Sequence, residues 1–132
     1  AALFSPLTDI TGSGASVRTK ADADPMFGSD FLDPVRAAYL SNRDDARSEL
    51  VSPVFADLTG LPPILIQVGS NEVLLDDAVT FAGRAGADDV DVTLEIVAQV
   101  PHVFQVFYDA MEEAGEGLDR AAQFLLRHLS AH

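Results

Sequence analysis

A histidine beside a carboxylate is the smallest pair of side chains that moves a proton near neutral pH, the acid fixing the imidazole tautomer and stabilising the imidazolium. The residues that suit such work are His102, in Pro101-His102-Val103-Phe104, and the acids of Asn71-Glu72-Val73-Leu74-Leu75-Asp76-Asp77. Each group follows an apolar run, so each is expected just past the end of a strand. Other roles compete for the same residues. Asp76 and Asp77 suit the first turn of a helix, where the macrodipole favours anions, and His102 suits a loop histidine bonded to a backbone carbonyl. Asn71 brings no charge. His128 falls in a terminal helical pattern and His132 ends the sequence, so both are expected to face solvent. Metal chemistry is not expected: Asp22/Asp24 and Asp88/Asp89 lack the pattern of a calcium loop, no histidine pair has zinc spacing, and cysteine is absent.

The elements that must position these groups follow from periodicity. Pro62 to Gly69 is a short apolar run bounded by prolines and a glycine, which predicts a buried, parallel-type strand. Val90 to Val97 alternates, with Val90, Val92, Leu94 and Ile96 on one face and Asp91, Thr93, Glu95 and Val97 on the other, a half-polar pattern that predicts an edge strand. Ala1 to Ser5 also reads as a strand, and the chain is expected to open inside a fold. In an open parallel sheet the C-terminal strand ends share one edge, where ligands and reactive groups collect.

Pro6 to Pro25 is expected as a long loop. A helix capped by Ser29 or Asp30 should use Phe31, Leu32, Val35, Ala38, Tyr39 and Leu40 and end near Ser41, with Asn42 to Glu49 exposed behind it. Ser52 to Pro62 should hold at most a short helical turn. Asp76 or Asp77 should start a helix to Ala87 that turns Val79, Phe81, Ala82 and Ala85 to the sheet. Val103 to Ala114 and Leu118 to Leu129 read as two helices separated by a break at Gly115 to Gly117. The fold class is therefore α/β, a single domain with a mostly parallel sheet of about three strands flanked by helices.

Composition narrows the function classes. At 132 residues and 48% hydrophobic content, the chain can bury one real core. A net charge of −13, with Lys20 the lone lysine, disfavours nucleic acid and anionic membrane surfaces as partners. No apolar run approaches the roughly 20 residues of a membrane span. The absence of cysteine argues against a disulfide-stabilised secreted protein, so the expected compartment is cytoplasmic.

Taken in order, Ser5-Pro6-Leu7-Thr8-Asp9, Ser52-Pro53-Val54-Phe55-Ala56-Asp57-Leu58-Thr59-Gly60-Leu61-Pro62-Pro63, Glu72-Val73-Leu74-Leu75-Asp76-Asp77 and Pro101-His102-Val103-Phe104 resemble the C-terminal half of an α/β-hydrolase of the hormone-sensitive-lipase-like esterase and lipase family. The resemblance covers nearly the whole chain. It implies a serine carboxylesterase acting on small acyl esters without a cofactor, with His102 as general base. It implies Glu72 as the triad acid, aligned with the family's Asp-Pro-Leu-x-Asp-Asp/Glu, where Glu stands for the commoner Asp. Asp76 is the alternative acid. Ala98-Gln99-Val100 departs from the Pro-Gly-Met that usually precedes the histidine motif.

The nucleophile elbow and glycine-rich oxyanion loop are expected in a missing N-terminal half, because Gly12-Ser13-Gly14-Ala15-Ser16 is not Gly-x-Ser-x-Gly and reads as a flexible turn. This chain alone is then expected to be inactive. Val103 and Phe104 are the candidate substrate contacts, and Phe104 with Phe107 could wall an acyl pocket or simply fill a core. The edge strand, residues 90–97, is a candidate homodimer contact. A stand-alone α/β binding module and a catalytically silent half-domain remain as other readings.

Overall fold

The computed structural model describes residues 1–40 and 43–129. Ile64–Gly69 (β2) is the centre of a three-stranded, wholly parallel sheet, flanked by Ala2–Phe4 (β1) and Val92–Val97 (β3). Among the described residues, four α-helices accompany it: Ser16–Thr19 (α1), Leu32–Tyr39 (α2), Leu75–Ala87 (α3) and Glu112–Leu129 (α4). Short 3-10 turns form at Arg43–Arg47, Pro53–Phe55 and Phe104–Phe107. Among the described residues, no helix is long and apolar enough to cross a membrane.

Every residue of β2 is buried, which is why its sequence is a continuous apolar run rather than an alternating one. Successive side chains point to opposite faces. Ile64, Ile66 and Val68 meet Ala78, Phe81, Ala82 and Ala85 of α3, together with Leu58 and Val90. Leu65 meets Ala121 and Phe124 of α4 on the other face. The sheet is thus covered on both sides, and the burial of Phe81 alone stabilises it by about 1.5–3 kcal/mol.

Several expectations change. The Pro6 to Pro25 stretch is not all loop, since it contains α1. No side chain caps α2; instead Gly28 and Asp30 carbonyls accept the first N–H groups, from Phe31 and Asp33. Tyr39 of α2 and Val79 of α3 are exposed, and Ala78 takes the core position expected for Val79. Helices need only a narrow apolar stripe, and these residues fall just outside it.

The largest correction is at the C-terminus. Val103 to Ala114 is a 3-10 turn at Phe104–Phe107 and further hydrogen-bonded turns that lead into α4 at Glu112, and Gly115 to Gly117 is not a break but lies inside the long α4. Glycine in a helix costs about 1 kcal/mol relative to alanine. Here tight packing offsets that cost: a Cβ on Gly117 would sit 3.1 Å from the Phe104 ring and 3.4 Å from Gln67 Oε1. The Gly117 carbonyl also accepts a hydrogen bond from Gln67 Nε2.

β3 borders the sheet as expected, though its regular part starts at Val92. Its register decides which backbone groups are free. Ile64 N–H donates to Asp91 O and Ser70 N–H to Val97 O, with Ile64 opposite Val92. In a parallel ladder this turns the odd-numbered residues, Thr93 among them, toward β2 and leaves the backbone groups of Val92, Leu94 and Ile96 facing outward. Ile96 is half exposed rather than covered by α3.

Candidate active site

β2 and β3 end side by side and are stitched together beyond their last residues. Ser70 N–H donates to Val97 O, Asn71 N–H to Val100 O, and Gln99 N–H to Ser70 Oγ. The approach is too close for any side chain at the last residue of β2, because a Cβ on Gly69 would lie 2.2 Å from Val100 O. Gln99, with φ 62°, makes the turn that sends the chain back toward Pro101 and His102.

The clasp delivers an acid and a base to one point. Glu72 is fully buried. Its Oε1 accepts hydrogen bonds from Gly69 N–H at 2.6 Å and Ser5 Oγ at 2.8 Å. Its Oε2 lies 3.0 Å from His102 Nδ1. The imidazole is 15% exposed. With Nδ1–H given to the carboxylate, Nε2 carries the lone pair, and the ring is set to take a proton there. The longer glutamate suits this turn: its carboxylate reaches back across three residues to the Gly69 amide while the other oxygen reaches the histidine.

Two neighbours hold the base. Ser5 Oγ accepts Val103 N–H at 3.0 Å, fastening the residue after His102. Val103 has φ 47°, a left-handed conformation that is a real outlier for a β-branched residue and costs on the order of 1–3 kcal/mol. Phe27 meets the imidazole edge-to-face, ring centroids 4.9 Å apart at 73°, and itself packs on Phe31. Phe27 is aimed by Asp24, whose Oδ1 accepts the N–H groups of Met26 and Phe27 while its Oδ2 accepts Val73 N–H beside the acid.

The other acids of the turn are engaged elsewhere. Asp76 Oδ2 accepts Ser16 N–H, and Asp76 N–H donates to Ser16 Oγ, which tethers α1 to the start of α3. Asp77 accepts Thr8 N–H and Asp9 N–H at 2.8 Å each. Burial pushes the Asp77 carboxyl up to about 6, with the nearby Asp9 and Asp76 charges adding to the rise and the two backbone donors opposing it. Asp9 is held below the usual carboxylate range: burial pushes it up, but bonds from Ser13 and Thr11 outweigh that. Both Asp76 and Asp77 sit in the first turn of α3, and both also anchor the preceding loop.

Of the residues singled out from sequence, Glu72 and His102 come together and Asp76 stays apart. Val103 follows the histidine, half-buried. Phe104 is fully buried with Val100 and Ala114. It therefore stands behind the histidine loop as core, not as a wall that a substrate could touch. His128 lies against Phe124 on α4, centroids 4.5 Å apart, and His132 lies outside the described residues. Sequence reasoning passed over Ser5, Gly69, Phe27 and Asp24 as site residues. For Gly69 a signal existed, since a glycine closing a buried strand marks a close backbone approach.

Among the described residues, no group of three or more His, Cys, Asp or Glu side chains is arranged to hold a metal ion. A hollow of about 790 Å³ lies against α2, lined by residues including Arg36, Leu40 and Arg47, and shares no lining residue with the Glu72–His102 pair.

Comparison with known proteins agrees with this fold. The profile of the alpha/beta hydrolase fold family matches residues 1–106. An esterase of Acinetobacter venetianus is 36% identical over 122 residues, which cover 92% of this chain and 40% of the esterase. An acetyl-hydrolase of Streptomyces hygroscopicus is 36% identical over 125 residues, 95% of this chain and 42% of the relative. The crystal structure of a hormone-sensitive lipase from a metagenome library superposes with a TM-score of 0.91 at 38% identity, covering 96% of this chain and 43% of that one. The chain thus spans about 40% of the length of the curated relatives it matches.

Proposed function

Since the chain belongs to the α/β-hydrolase family, in its hormone-sensitive-lipase-like esterase branch, we propose that it is the C-terminal half of a serine carboxylesterase domain and supplies the acid and the base of the catalytic triad. The observation that carries this reading is the buried Glu72 carboxylate bonded to His102 Nδ1 at 3.0 Å, at the C-terminal end of a parallel sheet. The nucleophilic serine and oxyanion donors belong to the remaining part of the fold.

In the complete enzyme, His102 Nε2 takes the serine hydroxyl proton as the oxygen attacks the ester carbonyl. Glu72 holds the ring and stabilises the imidazolium so formed. The proton then passes to the departing alkoxide, giving the alcohol and an acyl-serine. His102 next takes a proton from water, the resulting hydroxide cleaves the acyl-serine, and the serine oxygen recovers its proton. A base and an acid without a nucleophile leave covalent catalysis unavailable, so this chain alone is inactive. The same reading includes a homodimer contact through strand 90–97, supported by the outward backbone groups of Val92, Leu94 and Ile96 and by the absence of a blunting lysine or proline there.

The test is hydrolysis of short p-nitrophenyl esters by the full-length protein. His102→Ala should abolish nearly all turnover and Glu72→Gln should lower kcat by about 10⁴, whereas Asp76→Asn should cost far less. Near-normal turnover in His102→Ala would refute the assignment.

A further inference from the structure

Ser5 is 4% exposed and sits directly after β1 with φ 45°. Its backbone N–H continues the ladder to Gln67 O at 2.8 Å, which fixes the direction of its side chain. From that position the single hydroxyl makes two contacts of opposite sense: it donates to Glu72 Oε1 at 2.8 Å and accepts from Val103 N–H at 3.0 Å. Resting on the esterase reading, we propose that Ser5 is a positioning residue for the acid–base pair, one hydroxyl that clamps the triad acid and the backbone behind the triad base to the end of β1.

The physical argument concerns degrees of freedom. A glutamate has one more rotatable bond than an aspartate, so its carboxylate swings more widely unless both oxygens are held. Gly69 N–H and Ser5 Oγ–H occupy Oε1 and leave Oε2 to His102. Gly69 precedes Glu72 on the same turn, and its N–H is spent on the carboxylate. Ser5 adds a direct link to the histidine loop, because its lone pair holds Val103 N–H, the amide next to His102. Without the hydroxyl, the acid loses its bridge to Val103, which leaves the clasp at the strand ends and the Oε2–Nδ1 bond to set the separation of acid and base, and the Val103 amide loses its acceptor. Misplacing a reacting group by about 1 Å costs on the order of 10²-fold in rate.

The experiment uses the full-length protein with p-nitrophenyl esters, comparing Ser5→Ala and Ser5→Gly with and without Glu72→Gln. Glycine accepts the positive φ freely, so Ser5→Gly separates the hydroxyl from backbone strain. Both variants should lower kcat by about 10–100-fold with KM within about two-fold of the parent. In the Glu72→Gln background the same changes should cost less than about two-fold, because the hydroxyl acts through the carboxylate. The proton NMR resonance of His102 Nδ1–H, read without turnover, should broaden or move upfield in Ser5→Gly. A parental kcat in Ser5→Gly, or a loss undiminished in the Glu72→Gln background, would overturn the proposal. Turnover that survives His102→Ala would instead defeat the esterase reading, and the NMR resonance would then decide the role of Ser5 by itself.

Discussion

The unit β2–α3–β3 and the excursion from Pro6 to Leu61 that precedes it are held together by different forces. The first has a parallel ladder and a continuous apolar cluster around Ile66, Val68 and Phe81. Among its described residues, the second has a smaller cluster of buried Ile10, Val17 and Leu32 with partly buried neighbours such as Phe31 and Val35, and two α-helices of four and eight residues. Its backbone is tied down by side chains instead. Asp9 accepts from Thr11 and Ser13, Asp24 from Met26, Phe27 and Val73, Asp76 from Ser16, and Asp77 from Thr8 and Asp9. Arg36 donates to the carbonyls of Ile10 and Thr11. Buried N–H groups without a ladder must find acceptors somewhere. Part of the acidity is therefore internal fastening and not a solvated surface.

The comparison breaks most visibly in the sheet unit. Phe81→Ala should cost about 3–5 kcal/mol, lowering Tm for the whole domain in calorimetry. Asp24→Asn tests the excursion and should cost less, about 1–3 kcal/mol. One of its two oxygens becomes an NH₂ donor, which must face either Val73 N–H or the Met26 and Phe27 amides. Hydrogen exchange should rise over residues around Asp24 to Phe31 while the amides of β2 keep their protection. Equal loss of protection in both regions would mean that the two are not separable.

Asp77 sharpens the same contrast through pH. Its carboxyl is raised from 3.8 to about 6 in the folded protein, so the native state binds the proton more tightly than the unfolded chain. Its contribution is fully present below pH 3.8 and is lost as pH rises through about 6. Asp77→Asn keeps an oxygen for the Thr8 and Asp9 amides and removes the charge. The variant should lack that decline and be more stable than the parent above pH 6 by on the order of 1–3 kcal/mol in urea titrations. A parallel pH dependence in both proteins would exclude Asp77 as its source. The smallest effect on stability belongs to Ile96→Lys on the outer edge of β3, within about 0.5 kcal/mol. If strand 90–97 is the homodimer contact, light scattering should nonetheless record a weaker dimer.

How far each region was legible follows from the force that holds it. Hydrophobic periodicity reports apolar burial, so β2, α3 and the edge position of β3 could be read directly. The pairing of Glu72 with His102 was legible through motif order, since strand ends in a parallel sheet converge. Asp24 and Ser5 were not, because a carboxylate or hydroxyl that accepts a distant N–H leaves no periodic trace. Gly117 was misread for a related reason: propensity sees a helix breaker, whereas the Phe104 ring packs closely where a Cβ would be.

Asp24 divides its carboxylate between the loop that bears Phe27 and the turn that bears Glu72. Moving the backbone of the Phe27 loop away from that turn strains the division, and the cost appears at the Val73 amide. Thermodynamic reciprocity then applies. Whatever tightens the turn around Glu72 makes the Phe27 loop harder to displace by the same free energy, so order in the loop and order in the turn form one equilibrium.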